Sequence, residues 1–336
     1  MKALSLFSDG DVHSFFFNEQ ALPLVISPKT DNLILPQWLS GNMPFIEKKL
    51  LEYGGILFRG FDTDTLEKFQ AVVNCFNTAP LPYMFRSSPR KEIKEDVKNI
   101  YHSTLYPNHR HIELHNESSY SRVWGMKIMF CCLKKPSKGG ETPICDIRNV
   151  LTDIHPTLAD KFRTKGIKYT RNLFPNVGLS WKEVFQTSDK EEMISVCNKY
   201  QIKYHFHNEN KVTISWVKPA IYRHPGTNEE VWFNHCLLFS QYSLYEILGL
   251  SENDVLSEDM VVQDTSFGDD SLISYEEYQL IKNAYKKNKK SFPYSEGDIL
   301  LLDNMLCAHG RNPYHGDRLV ATTMIEPFYD KGFEKI

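Results

Sequence analysis

Apolar side chains recur at helical spacing over residues 42–53 (Ile46, Leu50, Tyr53), and Gly54-Gly55 ends that run before Ile56-Leu57-Phe58, which reads as a strand. Asp64 is placed to cap a second helix running to about Phe76, with Leu66, Phe69, Val72 and Val73 as its apolar face. A polar stretch over 87–98 predicts a loop, and 100–106 an extended segment leading into a histidine-rich stretch at 111–120. Residues 126–133 are almost continuously apolar and predict a buried strand, followed by a turn over 136–140 and a short strand over 142–145. Between 155 and 200 the spacing turns helical, with 181–185 and 191–200 as the best segments. Strand spacing returns at 212–217, 220–224 and 230–233, the last two joined by a turn at Pro225-Gly226 and Asn228. Residues 240–270 read as short helix and acidic loop. Residues 275–289 read as an amphipathic helix whose lysines form a solvated face. The strand 298–303 leads to His309, and 319–325 is expected as its β-partner.

Many short strands around helical insertions predict a mainly β fold with a double-stranded β-helix, or jelly-roll, core. We expect one domain over 1–336: a helical and strand flank at 1–80, core at 100–150 and 205–330, and pocket-shaping insertions at about 151–200 and 240–290.

Charge and composition narrow the partners. A net charge of −3 supplies no basic field for nucleic acid or anionic membrane, which leaves a small-molecule or protein substrate as the expectation. The seven cysteines include no Cys-x-x-Cys pair and several sit in apolar contexts, the usage of a reducing cytosol. Residues 1–17 lack a basic leader and no apolar run reaches the ~20 residues of a membrane helix, so a cytoplasmic protein is expected.

The candidate chemistry lies in His111-Ile112-Glu113-Leu114-His115-Asn116-Glu117. Along an extended strand side chains alternate, so His115 and Glu117 share a face, and so do His111 and Glu113; spacing alone leaves both pairs open. A histidine from Asp303-Asn304-Met305-Leu306-Cys307-Ala308-His309 would complete a two-histidine, one-carboxylate triad of the kind that holds non-haem iron. His205 and His207 also share a strand face, but no carboxylate or cysteine stands at a convincing spacing, and they read as structural.

Several motifs together resemble the taurine dioxygenase-like (TauD/TfdA) superfamily of iron(II)- and 2-oxoglutarate-dependent oxygenases. They are Gly54-Gly55-Ile56-Leu57-Phe58-Arg59-Gly60-Phe61, His115-Asn116-Glu117, Gly139-Gly140-Glu141-Thr142-Pro143, Trp232-Phe233-Asn234, Gly297-Asp298-Ile299-Leu300, and His309-Gly310-Arg311 followed by Gly316-Asp317-Arg318. Within it the chain looks most like the branch related to the syringomycin-cluster aspartyl hydroxylase. The resemblance implies a jelly roll, His115, Glu117 and His309 as metal ligands, and Thr142 and Arg318 as groups binding 2-oxoglutarate. Arg311 competes with Arg318 on chemistry alone, since either guanidinium can bind a carboxylate in bidentate fashion.

The sequence departs from the commoner pattern in two places: Glu117 replaces Asp, and Asp270 stands where relatives often have Gly. A carboxylate at 117 also distinguishes the chain from halogenating relatives, which keep a small residue there. The resemblance therefore implies hydroxylation of an unactivated C–H bond, using Fe(II), 2-oxoglutarate and O2. The implied substrate is an amino acid, free or tethered to a carrier protein, in a biosynthetic pathway. Desaturation or cyclisation with the same cofactors is the near alternative. A zinc hydrolase with the same ligands and a non-catalytic jelly-roll binding module are the distant ones. Arg86, Tyr120 and Asn234 are candidates for substrate contact, Arg86 for a substrate carboxylate.

Overall fold

The apolar run at 126–133 becomes the centre of a twelve-residue strand, Val123–Lys134, and both of its faces are covered. Trp124, Ile128, Phe130 and Cys132 point into one hydrophobic core, while Met129 and Cys131 point into a second beneath the N-terminal helices. The neighbouring strand Ile299–Asp303 divides the same way, Leu300 and Leu302 to one side and Ile299 and Leu301 to the other. A strand buried on both faces needs no polar alternation, which is why these segments read as continuous apolar runs.

The computed structural model describes residues 5–8, 10–17, 21–88, 91–94, 97–103, 106–175, 178–257 and 260–333. The large sheet has eight strands in the order Ser5–Ser8, Val12–Phe16, Leu24–Pro28, Gly55–Phe58, Ile299–Asp303, Val123–Lys134, Leu319–Tyr329 and Tyr101–His102. Facing its inner core is a three-stranded sheet, Ile112–His115, Cys307–Arg311 and Ile144–Asp146. These two sheets form the jelly-roll core. A four-stranded sheet adds Lys203–Phe206, Val212–Lys218, Ile167–Leu173 and Gln263–Phe267.

Two motifs far apart in sequence are adjacent here. Ile299–Asp303 runs antiparallel to Gly55–Phe58, and Arg59 reaches across to buried Asp298 through bonds of 3.0 and 2.6 Å. The helix Leu35–Tyr53 starts earlier than its spacing predicts and stops at Gly54, which takes φ +76, a conformation that a side chain would strain. On the second helix, Leu66–Asn74, the cap is Thr65 and not Asp64: the Thr65 hydroxyl accepts from the Lys68 amide.

Other expectations are corrected. Leu319–Tyr329 does not pair with Ile299–Asp303; both flank Val123–Lys134, because the intervening Cys307–Arg311 crosses to the smaller sheet before the chain returns. Ile167–Leu173 and Gln263–Phe267 are strands inside stretches that read as helix and loop. The first does alternate buried and half-buried positions, a period-two signal between stronger helical ones. Of the loop expected at 87–98, residues 89, 90, 95 and 96 lie outside the described residues, as do 104 and 105 of the extended segment expected at 100–106. The hairpin around Pro225-Gly226 forms between Tyr222–Arg223 and Glu230–Val231. Asp270 takes φ +69, the backbone setting that explains a glycine there in relatives. No helix among the described residues is long and apolar enough to cross a membrane.

Candidate active site

The antiparallel register between Ile112–His115 and Cys307–Arg311 sets His309 directly opposite His115. Their rings lie 4.6 Å apart between centroids. Glu117 is not on the strand, which ends at His115. It sits at the start of the turn that follows, and that turn carries Ser118 at φ +57. The turn brings the Glu117 carboxylate to 3.9 Å from His115 Nε2 and 3.7 Å from His309 Nε2. All three residues are buried, and one ligand atom from each falls within 4.8 Å of the others. His111 and Glu113 are not part of this cluster: they bond to each other at 2.8 Å.

The surrounding bonds fix how the donors point. His115 Nδ1 lies 2.8 Å from the Glu113 carbonyl, which can only accept, so Nδ1 carries the proton and the Nε2 lone pair is left toward Glu117. Asn304 secures the turn: its Oδ1 accepts from the Glu117 amide at 2.8 Å, and its Nδ2 donates to the carbonyls of Glu117 and Gly125, both at 2.9 Å. Asn116 Nδ2 donates back to the Asn304 carbonyl. Asp303 accepts the amides of Met305 and Leu306 and faces His224 Nε2 at 3.0 Å. His224 Nδ1 already accepts two amides, so its Nε2 is the donor. Beneath the turn, the ammonium of buried Lys218 donates to the carbonyls of Ser119 and Ser121. Two imidazoles and one carboxylate, buried and convergent on a fixed frame, suit a divalent transition metal.

Thr142 stands two residues before Ile144, which pairs with His309 across the smaller sheet, and Arg318 reaches the same segment at Gly140. The Arg318 guanidinium donates to the Gly140 carbonyl and the Ser103 hydroxyl, each at 2.9 Å, and makes no ion pair among the described residues. Burial pulls its pKa below the usual arginine range, as expected of a cation short of an anion. Gly140 takes φ +75, and a Cβ there would lie 2.6 Å from Pro136 and 3.1 Å from Arg318 Cδ. Thr142 is buried, and its hydroxyl accepts from Tyr294 at 2.9 Å. A half-buried guanidinium without an ion pair among the described residues, near the Thr142 and Tyr294 hydroxyl pair, fits a carboxylate of 2-oxoglutarate. Arg311, the competitor, is spent elsewhere: it donates to the carbonyls of Tyr106, Pro107 and Arg110 at 2.8, 2.6 and 2.9 Å.

A cavity of about 700 Å³ opens over His115, a volume suited to a small organic ligand. Ser87 and Ser88 line it, whereas Arg86 does not; the Arg86 carbonyl accepts from Arg171. Tyr120 packs behind the site, against His235 and Phe239, with its hydroxyl donating to the Phe85 carbonyl. Asn234 lies past the end of its strand; it donates to the Ala220 carbonyl and accepts from the Cys236 amide, the bonding of a structural group. His205 and His207 stack edge to face on each other at 4.7 Å, and His207 bonds Thr213.

Several neighbours have no sequence signal. His235 stands with its ring 5.3 Å from that of His115 and its Nδ1 2.6 Å from the Ser119 hydroxyl; burial, then the charge of His115, pushes its pKa well below the usual histidine range. Ser103 and Tyr294 are likewise placed by folding alone. Lys282, expected on a solvated face, instead lines the cavity and pairs with Glu246 and, at 3.9 Å, with Glu113. Burial would raise the Glu113 pKa, but His111 and Lys282 together hold it below the usual carboxylate value.

The family model for the taurine catabolism dioxygenase TauD, TfdA family matches residues 20–324. The chain is 35% identical over 289 residues to the dapdiamide synthesis protein DdaC of Enterobacter agglomerans, covering 86% of this chain and 87% of that protein. It is 26% identical to a clavaminate synthase-like protein of Arabidopsis thaliana, over 92% and 94% of the two chains. Among solved structures, its fold matches PvcB, described as an Fe, alpha-ketoglutarate dependent oxygenase from an isonitrile synthetic pathway. That match has a TM-score of 0.57 at 12% identity over 97% of each chain. A taurine dioxygenase from Burkholderia xenovorans matches with a TM-score of 0.51 at 14% identity, over 92% of this chain and 89% of that one. The chain therefore belongs to the TauD, TfdA family and is a non-haem iron dioxygenase that uses Fe(II), 2-oxoglutarate and O2.

Proposed function

We propose that this enzyme hydroxylates an unactivated C–H bond of a small molecule, an amino acid or aminoacyl group, in a biosynthetic pathway. One observation carries the reading: the chain has a buried His115, Glu117 and His309 cluster, and on the segment joined to the His309 strand a half-buried Arg318 whose guanidinium lacks an ion-pair partner among the described residues. The names of DdaC and PvcB place those two proteins in synthetic pathways, which supports a biosynthetic role here. The seven cysteines, all free, support a reducing compartment such as the cytoplasm.

In this reading His115 and His309 offer Nε2 and Glu117 one carboxylate oxygen to the iron, while Arg318 and Thr142 hold the distal carboxylate of 2-oxoglutarate. When bound, iron with its co-substrates supplies the oxidation, coupling loss of CO2 from 2-oxoglutarate to attack on a substrate C–H bond. The protein orients the reactants. Asn304 and Asn116 keep the Glu117 turn in place, Gly140 leaves room for Arg318, and the His235, Tyr120 and Phe239 rings keep the wall dry. A carboxylate at 117 fills the position that a halide would need, which favours hydroxylation. A hydrolase using the same ligands would leave the unpaired Arg318 without a purpose.

The test is anaerobic addition of Fe(II) and 2-oxoglutarate to metal-free protein while following the visible charge-transfer band of their chelate. The wild type should show the band and His309→Ala should not. Arg318→Ala should need roughly 10- to 100-fold more 2-oxoglutarate, the worth of a charge-assisted bidentate contact. Folded, metal-loaded protein without a band would refute the reading. Succinate release and a product heavier by one oxygen then separate hydroxylation from desaturation.

A further inference from the structure

The cavity over His115 has an uneven distribution of charge. Glu113 and Glu246 share the single ammonium of Lys282, with His111 bonded to Glu113, so in this group the carboxylates outnumber the permanent cations. Arg110 lines the same cavity, and its guanidinium has no ion pair or hydrogen bond among the described residues. A surface arginine without a partner is ordinarily just solvated. Arg110 differs in how it is held. Its own carbonyl and those of Tyr106 and Pro107 are gripped by the buried Arg311 guanidinium, and the Asn108 carbonyl accepts from the Tyr314 amide. Arg311 belongs to the strand that carries His309, so the loop presenting Arg110 is clamped to the strand supplying a metal ligand. The backbone of Arg110 is thus held relative to the reaction centre, and its unbonded guanidinium is a planar fork of donors suited to a carboxylate.

We infer that Arg110 binds the free α-carboxylate of the substrate, with the Glu113 and Glu246 carboxylates left to attract its ammonium group. The substrate is thus a free amino acid or a close analogue, and not an aminoacyl group tethered as a thioester. A thioester has no α-carboxylate, so most tethered aminoacyl groups would leave Arg110 unpaired, and the thioesters of the acidic amino acids separate an α-carboxylate from a side-chain one. This rests on the oxygenase reading above and settles what that reading leaves open, the state of the substrate's carboxyl group. Arg311 is the positioning residue for Arg110.

The experiment uses the protein loaded anaerobically with Fe(II) and 2-oxoglutarate. It is titrated with the proteinogenic L-amino acids, their α-carboxamides and their N-acetylcysteamine thioesters, and binding is read as a perturbation of the charge-transfer band. At least one acid should bind, with its amide and thioester roughly 10-fold weaker or worse. Arg110→Gln should weaken the acid by about 10- to 100-fold and abolish the preference for acid over amide, the scale of one charge-assisted contact, while Arg110→Lys keeps part of it. Both variants should form the unperturbed band at the wild-type 2-oxoglutarate concentration. Three results overturn the inference: an amide or thioester that binds as well as its acid, a preference that survives Arg110→Gln, or no perturbation by any compound. Absence of the band in the wild type is a different failure, that of the oxygenase reading.

Discussion

Gly140 shows how closely single side chains are constrained around Arg318. With φ +75 and a hypothetical Cβ 2.6 Å from Pro136, 3.0 Å from Tyr314 and 3.1 Å from Arg318, it has room for hydrogen only. Gly140→Ala should cost about 1–3 kcal/mol of stability, combining backbone strain with overpacking. Because Arg318 Cδ is among the crowded atoms, it should also raise the 2-oxoglutarate concentration needed for the charge-transfer band; thermal unfolding and a co-substrate titration check the two effects separately. Asn304 is constrained by polarity instead. Asn304→Ala strands the Glu117 amide and carbonyl and the Gly125 carbonyl, with an expected loss of about 1–3 kcal/mol. Iron affinity should fall roughly 10- to 100-fold, because the turn that aims a ligand is released. Wild-type iron affinity in Asn304→Ala would show that the turn holds itself.

Between elements, the four-stranded sheet meets the metal turn through Lys218, the last residue of Val212–Lys218. Its ammonium sits under Ser119 and Ser121 and 4.7 Å from the Trp124 ring centroid, and burial pushes its pKa from 10.5 down to about 7. Between pH about 7 and 10.5 the unfolded lysine holds a proton that the folded one has released, so the unfolded state binds more protons there. Stability from this group therefore rises with pH across that window and is lost as pH falls through about 7. The buried thiols act in the opposite sense above about pH 9, so the contribution is read as a difference: in chemical unfolding of metal-free protein at pH 7, 8.5 and 10, Lys218→Met should show a lower slope with pH than the wild type. An unchanged slope in the variant would remove Lys218 as its source. The element itself was visible in the sequence as a strand, but its sheet was not. Two of that sheet's four strands, Ile167–Leu173 and Gln263–Phe267, lie between segments with stronger helical spacing, and pairing with Val212–Lys218 and with each other fixes them as strands.

Across the fold, the outer strands are joined to the catalytic half by the Arg59 and Asp298 pair. Asp298 is fully buried and Arg59 about a fifth exposed. Asp298→Ala should cost about 2–3 kcal/mol, below the 3–5 typical of a fully buried pair because solvent screens Arg59. It should lower the unfolding midpoint while sparing iron binding, as Asp298 touches no ligand. What the sequence by itself determined are the features carried by local pattern: the apolar runs of the core strands, the glycine that ends the first helix, and the ligand types at 115, 117 and 309. Periodicity could not choose between His115 with Glu117 and His111 with Glu113, since both pairs repeat every second residue. Tertiary structure decided that by register, which sets His309 against His115, and by ending the strand there so that a turn delivers Glu117. It likewise committed Arg311 to loop carbonyls, left Arg318 without an ion pair among the described residues, and put Lys282 on a cavity wall. Each of these depends on contacts between residues distant in the chain, and no local period encodes such distances.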